Sequence, residues 1–165
     1  MSYGFLRKQN NFFKVIFAFR PISTIKPQNL EGIMTYFFDR NYCKIYFDEV
    51  SGAVVIKWVG YAESDQFRKA CDQSLELLKK MKTKFMIADN SEGKAVSIDD
   101  QNWLVENWFP RAFNEGYRIS AVVSTTDIFR DMGIKNIASQ LDMTKFTAEY
   151  FNNFKDAQEW IKGLQ

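Results

Sequence analysis

The chain reads as an α/β domain, a mixed and mostly parallel five-stranded sheet with four main helices in the order β-β-α-β-α-β-α-β-α. Three observations predict this. Two apolar strand-like runs, 42–48 and 53–59, are separated only by Glu49-Val50-Ser51-Gly52, which is too short for anything but a hairpin turn. After them, segments of helical and strand periodicity alternate to the end of the sequence, as crossover helices between parallel strands require. An apolar fraction of 46% with 16% aromatics supplies a core.

Taken in order, residues 1–33 stand apart from the rest. They carry Arg7, Lys8, Lys14, Arg20 and Lys26 against Glu31 alone, a net of about +4, while the remaining chain is close to −2. This segment reads as a loosely ordered basic extension, and the α/β domain spans 34–165. Its apolar run, Phe12 to Phe19, is short and lacks a signal-peptide cleavage pattern. Organelle targeting or membrane contact is the alternative for it.

In the first strand Cys43, Ile45 and Phe47 share one face, and Tyr42, Lys44 and Tyr46 the other. The second, Ala53 to Val59, is rich in β-branched residues. Residues 63–82 follow as a helix, with Phe67, Ala70, Cys71, Ser74, Leu75, Leu78 and Met81 at i, i+3, i+4 spacing. Lys79, Lys80, Lys82 and Lys84 gather at its end, where cations suit the helix dipole; a nucleic-acid patch is not expected. Lys84 to Asp89 is a short strand running into a polar loop, 90–95. The next helix opens at Ser97 and reaches about Gly116. A strand at 118–124, a helix at 128–141, a strand at 145–151 and a helix capped by Asn153 complete the chain. Phe154, Ala157, Trp160, Ile161 and Leu164 form the apolar stripe of that last helix.

The segment from Ser97 to Arg111 is the least generic. Ser97 is placed as N-cap, and Asp99 and Asp100 occupy the first turn, where a dipole favours acids. That disfavours a phosphate ligand at this helix end and makes Ser97 an unlikely phosphorylation site. Trp103 and Trp108 lie about 140° apart on an α-helix, so both cannot centre one narrow stripe. Pro110 costs about 3 kcal/mol in a straight helix interior and predicts a kink or break near Phe109.

There is no histidine, which excludes Ser-His-Asp and Cys-His catalysis and histidine metal sites. Cys43 and Cys71 sit on apolar faces, 28 positions apart and without CxxC spacing, and read as packing residues. A Mg²⁺ site from Asp89, Asp99 and Asp127 is weighed and not adopted; no metal or cofactor is expected. A receiver-like phosphorylation site fails because its fold needs a helix where this chain has the hairpin. Ligands of open α/β sheets bind beyond the carboxyl ends of the strands. The candidate ligand- or partner-binding residues are therefore Asp89, Asn90 and Thr125 at strand ends, with Trp103, Trp108 and Arg111 on the central helix.

The element order, with Trp103-Leu-Val-Glu-Asn-Trp-Phe-Pro-Arg-Ala112, resembles bacterial STAS-like domains related to sporulation anti-sigma-factor antagonists. The closest likeness is to an uncharacterised branch with a W-x4-W-x-P-R helix, and it covers about 34–164. The resemblance implies a non-enzymatic cytoplasmic interaction or regulatory domain with a protein partner. The antagonists' phosphorylatable D-S-S-G motif is replaced here by Ala95-Val-Ser-Ile-Asp-Asp100. The fold is also similar to CRAL-TRIO lipid-binding domains, which implies the alternative of a carrier or sensor of a small apolar ligand or lipid beside the central helix. Neither nucleic acid nor a transmembrane segment is expected.

Overall fold

The structure is a computed structural model and describes residues 35–165; the reading of 1–33 as an extension lies outside them. The strands are β1 (Phe38–Arg40), β2 (Cys43–Asp48), β3 (Ala53–Gly60), β4 (Phe85–Gly93), β5 (Ile119–Val123) and β6 (Thr147–Phe151). The sheet is thus six-stranded, not five. The additional strand, β1, pairs only three residues with β2 and leaves Asp39 and Arg40 exposed. Too short to show a period, it is an edge blunted by charge.

Helix α1 (Ser64–Met81) follows β3. The central helix runs from α2 (Ile98–Trp103) through a π-helical turn (Leu104–Trp108) into α3 (Phe109–Asn114), followed later by α4 (Ile128–Ser139) and α5 (Phe154–Lys162). Strand order equals sequence order, antiparallel from β1 to β3 and parallel from β3 to β6. When every parallel strand lies beside its predecessor and crossovers share one hand, all crossover helices fall on one face. On that front face Cys43, Ile45, Val54, Ile56 and Met86 meet α1 and the central helix. The back face, with Tyr46, Val55, Ile87, Ala121 and Val123, is covered by Ala157 and Ile161 of α5.

Capping follows the sequence closely. Glu63 and Gln66 form a reciprocal capping box on α1, and Asn153 accepts from the Asp156 amide at 2.9 Å on α5. Three expectations shift. Residues 90–93, expected as loop, extend β4 beyond a bulge, pairing Glu92 with Val59 and Gly93 with Gly60. Met81 and Leu164, placed in apolar stripes, are exposed, while Leu77 is buried. The central helix does not break at Phe109: its backbone stays helical and widens into the π turn one turn earlier. Pro110 lacks the N–H that would pair with the Glu106 carbonyl in an α-helix, and its ring crowds that carbonyl. A wider turn just before it relieves both.

Candidate functional site

Between the front face and its helices lies a cavity of about 130 Å³. Two features leave it open. The strands present small side chains there, Ala88 from β4 and Ala148 from β6. Helix α4 rests on α2 more than on the strands. That seating is specific: a Cβ on Gly133 would come within 3.0 Å of the Gln101 amide nitrogen. Buried Gln101 in turn accepts from Asn136 at 2.8 Å and donates to the Val96 carbonyl at 2.8 Å. Held at this height, α4 turns Ile134, Ile137 and Ala138 toward the cavity without filling it.

One end of the cavity is aromatic. Trp108 is 4% exposed, and its indole N–H donates to the Cys71 carbonyl at 2.8 Å. Tyr117 lies edge-on to Trp108 and Phe146, with ring centroids 5.8 and 5.1 Å away, and stacks with Phe109 at 6.2 Å. The π turn makes this wall possible. The Phe109 amide bonds the Leu104 carbonyl five residues back, so two residues that an α-helix would separate by about 140° both line the cavity.

The other end is polar and charged. Arg130 is 5% exposed, and its guanidinium lies 5.1 Å from the centre of the Trp58 ring. It donates from Nε and Nη2 to the Asn90 side-chain oxygen, at 3.1 and 2.8 Å, and from Nη1 to the Lys94 carbonyl at 3.0 Å. Both acceptors are neutral. Burial works against the charge and pushes the Arg130 pKa down. Gly93 backs the guanidinium, since a Cβ there would sit 3.3 Å from its carbon and 3.0 Å from the Trp58 Cβ.

The candidate residues divide. Asn90 and Trp108 line the cavity from opposite ends. Asp89 points to the other side of β4, buried, and accepts from the amide and hydroxyl of Ser91 at 3.0 and 2.6 Å. Trp103 lies under two guanidinium groups, Arg68 at 5.3 Å and Arg111 at 5.8 Å from its ring centre. Arg111 is bound outward, to Asp72 at 2.7 Å. Thr125 accepts from the Asp127 amide at 3.0 Å and does not reach the cavity. Arg130 carried no weight in the sequence reading, yet a signal was there: a cation in the first turn of a helix opposes the dipole and needs a reason.

Ser97 caps α2, accepting from the Asp100 amide at 3.1 Å, while its hydroxyl donates to the Asp100 carboxylate at 2.7 Å. Ser64 and Arg68 hold the other Asp100 oxygen at 2.6 and 2.7 Å. Burial would raise this carboxyl, but the bonds from Ser64, Ser97 and Arg68 outweigh it and hold the pKa below the ordinary 3.8. Burial also keeps both thiols protonated, with Cys43 pushed up to about 12 and Cys71 raised as well. Neither is a thiolate nucleophile at neutral pH. Among the described residues no group of acids and cysteines comes together as a metal site, and no helix is long and apolar enough to cross a membrane.

Comparison with protein-family models, with curated proteins and with solved structures finds no match for this chain.

Proposed function

We propose that this domain binds a small, largely apolar molecule in the cavity under α4, as a carrier or sensor and not as an enzyme. The observation that carries the reading is the cavity itself. At about 130 Å³ it approaches the engineered void of roughly 150 Å³ that stays dry and takes up benzene. A pocket with aromatic and aliphatic walls and a few convergent polar groups is the usual form of a small-molecule site. A void of that size is also destabilising when empty.

Native mass spectrometry after gentle purification tests this, together with tryptophan fluorescence, to which Trp58 and Trp108 of the cavity wall contribute, during titration with small aromatic and aliphatic probes. Saturable binding with a shift in indole emission is expected. No co-purified ligand and no saturable probe binding would refute it.

A second reading has its own support. Ile128, Phe129 and Met132 of α4 are 67%, 66% and 65% exposed, an apolar strip on the side away from the cavity. Clustered exposed apolar groups mark interaction surfaces. A protein partner docking on α4 agrees with the STAS-like resemblance. Substituting Phe129 and Met132 by serine would abolish recovery of such a partner and leave probe binding intact. Unchanged recovery would count against it.

A further inference from the structure

We infer that the natural occupant of the cavity is a small monocarboxylic acid whose carboxylate sits on the Arg130 guanidinium and whose apolar body fills the aromatic end. This rests on the reading of the cavity as a ligand site and adds the chemical class of the ligand.

A buried ion is costly unless an opposite charge or dense hydrogen bonding offsets it. Among the described residues Arg130 forms no ion pair; its three bonds to Asn90 and Lys94 reach neutral oxygens. A guanidinium has five N–H donors, so two remain unclaimed. Of the nearest acids in sequence, Asp131 pairs with the Lys135 ammonium at 2.7 Å, and Asp127 is engaged elsewhere. Its carboxylate accepts from the Arg130 backbone N–H at 2.9 Å and lies 3.5 Å from the Lys94 ammonium. Arg130 also stands in the first turn of α4, where aligned peptide dipoles add to the positive field. The site therefore holds an excess of positive charge that a bound anion would neutralise.

Three features select a carboxylate among anions. Arg130 is the single charged side chain in the cavity lining, which matches one negative charge better than the two of a phosphate ester. The planar guanidinium fork fits a planar carboxylate. The remaining wall is chiefly apolar, with Trp108, Phe109 and Phe146 among its aromatic residues, so the ligand must be amphipathic. A cavity of about 130 Å³ holds a body of roughly six to nine carbon atoms. Phenylacetate is of that size, and long-chain lipids are not.

The test uses the full chain and three probes of one shape: phenylacetate, 2-phenylethanol and 2-phenylethylammonium. Calorimetry at neutral pH is expected to rank the acid about tenfold or more above the alcohol, a typical margin for a charge-assisted bond, with no binding of the ammonium ion. Arg130→Met should erase the preference and keep the alcohol affinity. Should that variant fail to fold, Asn90→Asp places a carboxylate beside Arg130 and should erase the preference in the same way. Equal affinities of acid and alcohol in the unaltered protein would overturn the carboxylate assignment and leave the apolar cavity standing. Binding of neither would overturn both. A preference that survives in Asn90→Asp and Arg130→Met would show that the anion binds elsewhere, and would also overturn the assignment.

Discussion

Filling the cavity should stabilise the protein and abolish ligand binding together, which is an unusual pairing of signs. Ala138 on α4 lines the void and sits in a helix, where leucine is nearly as favourable as alanine. Ala138→Leu adds three carbons. If they enter the void, burial contributes about 0.8 kcal/mol each, some 2.4 kcal/mol in all. Fixing the leucine rotamer costs about 0.5–1 kcal/mol. The net gain is about 1.5 kcal/mol, inside the roughly 3 kcal/mol that an empty space of about 130 Å³ costs at ~24 cal/mol per Å³. For a domain of this size that raises Tm by about 4 °C. Urea unfolding should show a higher midpoint at unchanged slope, and titration with phenylacetate should show no saturable binding. A destabilisation of 1 kcal/mol or more would mean overpacking, and would refute the description of this space as unfilled.

Other outcomes follow from individual contacts. Trp108→Phe removes one of the donors to the Cys71 carbonyl, which still accepts from the Ser74 hydroxyl, and enlarges the cavity; it should cost about 1–2 kcal/mol in urea unfolding and weaken the fluorescence response to the share carried by Trp58. Gly93→Ala places a methyl against Trp58 and the Arg130 guanidinium, and should reduce acid-over-alcohol preference with little effect on alcohol binding. Asp100 has a folded pKa below its ordinary 3.8, so its contribution is present above that value and is lost as pH falls through the lower folded value. Acid unfolding followed by circular dichroism should therefore be shallower in Asp100→Asn, which should also be less stable at neutral pH by about 2 kcal/mol.

Much of this architecture is legible in residue patterns because helices and half-buried strands impose different periods on the chain. The hairpin, the five longer strands and the four helices each carry enough residues to show a period or a cap. Strand β1 does not, because three residues with two charges cannot display alternation. The cavity is harder to read, since it arises where Ala88, Ala148 and Gly133 coincide in space, and small residues far apart in sequence announce nothing alone. Asn90 and Trp108 were visible as a strand-end polar residue and a helix indole. Arg130, the partner of Asn90, reads in sequence as an ordinary surface arginine, and only its place in the first turn of α4 is anomalous. The two indoles show the limit from the other side. An angle computed for an ideal α-helix separates Trp103 from Trp108, but it cannot foresee that the turn between them is wider than α.

That turn ties two positions of the chain together in inheritance. A ring closed from residue i to i+5 contains one residue more than the α-helical ring, so the segment Leu104 to Trp108 behaves as a helix carrying an insertion. Deleting one residue there would restore α-helical spacing and bring the proline ring back against a carbonyl. Replacing Pro110 by alanine alone would remove the need for the wide turn and loosen the hold on Leu104 and Phe109. Each change should be harmful by itself, and the deletion should be tolerated better with alanine in place of the proline. The extra residue and Pro110 are thus expected to be gained or lost as a pair, and a lineage that gives up one would keep the helix only by giving up the other.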